Sequence, residues 1–239
     1  MSWPGPRILA HRGGGALAPE NTLGAIRLGA SLGFQGVEFD VMLAGDGTPV
    51  LMHDETLERT TNGRGRIAET AYPVLARLNA GNGEPVPTFE EAAVLCRELG
   101  LWVNVEIKPA NGHERATGEE VAKMAAELWR GASRGPLLSS FSAEALASAK
   151  AVAPGLARGL LVDAVPLDWQ IRLQDLGCVA LHCDHKRLQR ATALQIRGAG
   201  FGLLAYTVNE PGEARRLLEW PVDCVVTDAL DRIGPDFTL

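Results

Sequence analysis

The chain has 239 residues, a formal net charge of −6, 46% hydrophobic residues and four cysteines. This composition excludes wholesale disorder, and no apolar run reaches the roughly 18 residues that a membrane span needs. A net acidic chain lacks the clustered Lys and Arg that polyanions require, so nucleic acid is not an expected partner.

In chain order, short apolar runs alternate with longer helical patterns. Strands are predicted over 7–10, 36–41, 101–107, 136–141, 157–162, 178–183, 202–208 and 223–227, most of them rich in Val, Ile and Leu. Helices are predicted between them over 21–32, 88–99, 114–129, 142–152, 167–176, 186–198 and 210–219. Asn21 or Thr22 suits the first N-cap, and Thr88 with Glu91 three residues on makes a capping box. Gly100 and Gly177 mark helix ends.

This alternation predicts an α/β chain folded as a (β/α)8 TIM barrel, one unit over 1–239. A doubly wound open sheet is the alternative, because pattern alone does not show closure. The irregular stretch 44–87, with a strand-like run at 49–53, is a long excursion inside a compact domain, of the kind that usually carries function. Met1 to Pro6 carries no basic and apolar signal pattern, and Cys96, Cys178, Cys183 and Cys224 form no CxxC pair. The expectation is a cytoplasmic protein with buried free thiols and no integral membrane segment. A homodimer is left open.

In such barrels the chemistry sits at the C-terminal ends of the strands. His11-Arg12 follows the first strand. Glu38 and Asp40 are two apart on the second, and Asn104, Glu106 and Lys108 are two apart on the third, so each set shares one face. Val37, Phe39 and Val41 form the opposite, helix-facing row. Three inward carboxylates are costly unless a cation joins them, and oxygen-only donors favour a hard ion such as Mg²⁺ or Ca²⁺, with Mn²⁺ a third option. His11 and His53, each at a strand end, suit general acid/base work, and Arg12 and Lys108 supply positive charge for a phosphate.

His11-Arg12-Gly13, Pro19-Glu20-Asn21-Thr22, Glu38-Phe39-Asp40 and His53-Asp54 with Leu57 and Arg59-Thr60-Thr61 occur in that order. Pro87-Thr88-Phe89-Glu90-Glu91, Asn104-Val105-Glu106-Ile107-Lys108, Ser140-Phe141, Tyr206-Thr207-Val208-Asn209 and Thr227-Asp228 follow. Together they resemble the glycerophosphodiester phosphodiesterases over almost the whole chain. The resemblance implies a barrel and metal-dependent hydrolysis of a small glycerophosphodiester to sn-glycerol 3-phosphate and an alcohol. By matching position it implies Glu38, Asp40 and Glu106 as ligands of one divalent ion. It implies His11 and His53 as the acid/base pair, Arg12 and Lys108 as phosphate contacts, and stretch 44–87 as a small insertion after the second strand that caps the site. Phe141 and Tyr206 are expected to wall the substrate pocket. The family often has Trp at the latter position, so the Tyr206 hydroxyl raises the question of alcohol preference. The nucleophile is either water or the glycerol 2-hydroxyl, and either histidine can serve as base.

Two other readings compete with this one: a lysophospholipase D-like enzyme on the same fold, and a non-catalytic barrel that binds a phosphorylated metabolite. Cys178, His182, Cys183 and His185 include zinc-type ligand residues, but His182 and Cys183 are adjacent on a strand and point to opposite faces. His182 is instead expected at the site rim. Gly13-Gly14-Gly15 lacks the spacing of a nucleotide-binding loop.

Overall fold

The near-continuous apolar runs form parallel strands covered by helices, as strands buried on both faces require. The computed structural model describes residues 3–237, so the extreme ends of the predicted 1–239 unit lie outside the described residues. The strands are β1 (Ile8–Ala10), β2 (Gly36–Leu43), β3 (Pro49–Leu51), β4 (Trp102–Ile107), β5 (Leu137–Ser140), β6 (Ala157–Val162), β7 (Ala180–Asp184), β8 (Gly202–Tyr206) and β9 (Cys224–Thr227). The helices are α1 (Leu23–Ser31), α2 (Tyr72–Leu75), α3 (Phe89–Glu98), α4 (Glu114–Leu128), α5 (Ala143–Val152), α6 (Trp169–Leu176), α7 (Arg190–Gly198) and α8 (Pro211–Glu219).

β1 pairs in parallel with β9 through Ile8 and Val225, and with β2 through Ala10 and Val37. These two pairings close the sheet into an eight-stranded parallel barrel, which rules out the open-sheet alternative. β3 stands outside the parallel set, antiparallel to β2 with Leu51 opposite Val41. The helix-facing rows of the strands, such as Val37, Phe39 and Val41, join the helices in the largest core.

Local chemistry explains where the helices begin. Thr22 caps α1 by accepting from the Ala25 amide at 3.1 Å. Thr88 and Glu91 form the expected capping box on α3. α7 begins at Arg190, four residues later than its predicted start at 186, because Asp184 accepts from the Lys186 amide at 2.9 Å and winds residues 185–187 into a separate short turn.

The chain between β2 and α3 is not a loose loop. Met42, Val50, Met52, Leu57, Ile67, Leu75 and Val86 pack into a second apolar core of their own. That core fixes the segment after β3, and with it His53, over the C-terminal end of the barrel. The four cysteines are free and buried, as expected.

Candidate active site

All nine residues singled out in the sequence line one cavity of about 330 Å³ at the C-terminal mouth of the barrel. They reach it from β1, β2, β4, β5, β8 and the segment after β3. Alternation along the strands does most of this work: the Glu38, Asp40 and Glu106 side chains all face the barrel interior, and Asp40 and Glu106 are register partners.

These three carboxylates each offer an oxygen within 4.8 Å of the others, and each of the three residues is largely buried. Burial first, and the charge of Asp40 second, push the Glu38 carboxyl up to about 7 and that of Glu106 up to about 8. One Glu38 oxygen, Oε1, is buried with no hydrogen-bond partner. A buried, mutually repelling, oxygen-only donor set with an orphaned oxygen has the chemistry of a hard divalent cation site. Asn21 fixes its geometry: its amide donates to Asp40 Oδ2 at 2.9 Å, and its carbonyl oxygen accepts from the Asp40 backbone at 3.2 Å.

The two histidines are held alike. Nδ1 of His11 donates to Asp228 at 2.6 Å, and Nδ1 of His53 donates to Asp54 at 2.6 Å. A carboxylate on Nδ1 fixes the tautomer and leaves Nε2 for chemistry. Nε2 of His11 lies 3.7 Å from Glu38, and Nε2 of His53 accepts from the Lys108 ammonium at 2.7 Å. The two imidazoles respond differently to their surroundings. Burial works against charge on His11, but the Asp228 bond and the Glu38 and Asp228 charges outweigh it and raise its pKa. Burial lowers that of His53, and the cations of Lys108 and Arg12 add to the effect.

Arg12 and Lys108 stand at the same mouth. Arg12 pairs with Glu20 at 2.5 Å and approaches Asp40 at 3.5 Å, with its backbone in the left-handed region at φ 51°. Lys108 lies 3.3 Å from Glu106 and 3.7 Å from Asp40. Both cations therefore keep company with carboxylates and remain open to the cavity. Phe141 is 46% exposed, too open for a core residue, and meets Tyr206 edge-to-face with ring centroids 6.0 Å apart. The Tyr206 hydroxyl donates to the Val162 carbonyl at 2.9 Å, so the side chain presents its ring to the cavity.

Three supporting residues had no role assigned from the sequence. Asp228 holds His11 across 217 positions, and only the Thr227-Asp228 match pointed to it. Asp54 follows His53 directly and was legible as half of a pair. Arg59 contacts Asp54 at 2.5 Å and Glu20 at 2.7 Å, tying the segment after β3 to the segment after β1. His182 does not stand at the rim as expected. It lies fully buried on the floor of the cavity, while Cys183 packs into the helix-facing core, so no zinc-type cluster forms from them among the described residues. The Gly13–Gly15 turn is a close-packing device: a side chain at Gly15 would come within 2.4 Å of the Asp228 carbonyl oxygen, and the Gly13 and Gly15 amides bond the Glu38 and His11 carbonyls.

Residues 11–232 match the model of the glycerophosphoryl diester phosphodiesterase family. A glycerophosphodiester phosphodiesterase of Caldanaerobacter subterraneus is 31% identical over 229 residues, covering 92% of this chain and 93% of that protein. A human glycerophosphodiester phosphodiesterase 1 is 41% identical over 129 residues, 50% of this chain and 38% of that protein. Among solved structures, an Oleispira antarctica phosphodiesterase in complex with the product sn-glycerol-3-phosphate superposes with a TM-score of 0.89 at 38% identity, covering 94% of this chain and 93% of that one.

Proposed function

The chain belongs to the glycerophosphoryl diester phosphodiesterase family, and from that premise we propose that it hydrolyses small glycerophosphodiesters to sn-glycerol 3-phosphate and an alcohol. The observation that carries the reading is the convergence, in one cavity, of two carboxylate-held histidines and a buried acidic triad. Glu38, Asp40 and Glu106 would hold one Mg²⁺, Ca²⁺ or Mn²⁺ ion. When bound, the ion supplies neutralisation of the anionic phosphoryl oxygens.

The chain's own groups do the rest. Arg12 and Lys108 bind the phosphate and stabilise the charge that develops in the transition state. One histidine takes the proton of the attacking hydroxyl at its Nε2, and the other delivers a proton to the leaving alkoxide. Asp54 and Asp228 keep both rings in the required tautomer. Phe141 and the Tyr206 ring form an apolar wall at the mouth. The segment 44–87 carries His53 and caps the site. Four free buried thiols suit a reducing cytoplasm.

Assay of released glycerol 3-phosphate against glycerophosphocholine, glycerophosphoethanolamine and a lysophospholipid tests the substrate class. The soluble diesters are expected to react. Reaction of the lysophospholipid alone would favour the lysophospholipase D-like alternative.

A further inference from the structure

We propose that the floor of the cavity is a hydroxyl-binding subsite, built by His182 and Asn104, that takes the glycerol hydroxyls of the substrate; this rests on the glycerophosphodiesterase reading above. His182 lies on β7 and Asn104 on β4, and both line the cavity. His182 is fully buried and Asn104 is 3% exposed. Both ring nitrogens of His182 and the Asn104 side-chain oxygen lack any hydrogen-bond partner. Buried polar groups left unpaired cost free energy, and a group that keeps them unpaired beside a ligand cavity is set up for what the cavity will hold.

The surroundings hold the imidazole in this place. Gly159 is next to Ser139 and Ala180 in register, and a side chain at Gly159 would approach His182 Nε2 to 2.6 Å. Glycine there leaves room for the ring. The Trp3 indole packs edge-on beneath it, with centroids 5.8 Å apart, and closes the side away from the cavity. Ser139, inward beside Glu106 in register, adds a buried hydroxyl with no partner.

The chemistry of the subsite is neutral. Burial pushes the His182 pKa down to about 3, so the ring offers one donor and one acceptor. Asn104 offers a further acceptor. Hydroxyls, which both give and take hydrogen bonds, match this pattern, whereas a phosphate would lack a cation on the floor. Leu161, Leu204 and Val226 supply an apolar side for a short carbon chain. Elsewhere in the cavity the histidines and cations have other work, and the Tyr206 hydroxyl is tied to Val162. In the absence of substrate, water would satisfy the same groups.

The test compares His182→Phe, which keeps a ring and removes both nitrogens, with His182→Gln, which restores a donor and an acceptor. Two substrates are used: glycerophosphocholine and bis(p-nitrophenyl) phosphate, a diester without glycerol. The expected result is a fall of at least about tenfold in the ratio of kcat/KM for glycerophosphocholine to that for the glycerol-free diester in His182→Phe. Partial recovery is expected in His182→Gln. Calorimetry on the metal-loaded enzyme should show sn-glycerol 3-phosphate weakened more than inorganic phosphate, and Asn104→Leu gives the same readout if His182→Phe fails to fold. An unchanged ratio with unchanged relative binding overturns the subsite and leaves only buried water on the floor. Absence of glycerophosphocholine hydrolysis by the unaltered enzyme would instead overturn the reading beneath it, and the binding comparison would still judge the floor.

Discussion

The Nδ1 of His53 donates to the carboxylate of Asp54, its neighbour in the chain, at 2.6 Å. Arg59 grips that carboxylate from outside and, more than any other group, pulls the Asp54 pKa below the usual carboxylate range. The carboxylate is thus kept charged, and a charged partner fixes the imidazole tautomer and supports an imidazolium when it forms. Asp54→Asn should lower kcat by about tenfold or more with little change in KM, and His53→Ala by on the order of 10² or more. Steady-state kinetics on glycerophosphocholine checks both. Full activity of Asp54→Asn would deny the residue its positioning role.

The acidic triad makes a prediction about stability in the absence of metal. Folding raises the Glu38 and Glu106 pKa values from the ordinary carboxylate range to about 7 and about 8, chiefly by burial. Between about pH 4.5 and 8 these two carboxyls therefore bind more protons in the folded state than in the unfolded chain, and their contribution to stability falls as pH rises through that window, outweighing the opposite effect of the neutral His182. The metal-free protein should melt at a lower temperature at pH 8 than at pH 5.5. A divalent cation should reverse much of the loss at pH 8 and release protons on binding. Thermal melts with EDTA and with added Mg²⁺, Ca²⁺ or Mn²⁺ read this directly, and a Tm indifferent to the cations at pH 8 would count against the site.

Glu38→Gln removes one anionic donor and should weaken the cation requirement's anchor. More metal should then be needed for half-maximal activity, by about tenfold or more. A titration of activity against metal concentration reads the shift, and an unaltered curve would remove Glu38 from the ligand set.

Tyr206→Phe separates pocket shape from pocket polarity. Its hydroxyl is bound to the Val162 carbonyl, so its loss should destabilise the fold by about 1 kcal/mol while leaving the preference among alcohol leaving groups unchanged. Denaturation and a substrate panel measure the two effects. A changed preference would mean that the hydroxyl turns toward substrate.

The sequence made the strands and the candidate site legible because both rest on local pattern. Glu38 and Asp40, two apart, had to share a face, and Val37, Phe39 and Val41 had to take the other. Thr88 and Glu91 announced their helix start for the same reason. What escaped depends on distance along the chain. Barrel closure rests on Ala10 meeting Val37 and Ile8 meeting Val225, which no local pattern encodes. Asp228 reaches His11 only once that closure is made. The depth of His182 depends on Gly159 two strand positions away in space and on Trp3 from the other end of the chain.

In the reaction proposed above, hydrolysis of a glycerophosphodiester at this one cavity depends on a divalent cation. The most direct measurement is release of sn-glycerol 3-phosphate from glycerophosphocholine after full chelation, followed by re-addition of Mg²⁺, Ca²⁺ or Mn²⁺. Release should stop on chelation and return with at least one of the three ions. Release undiminished by chelation, or none under any of these conditions, would contradict it.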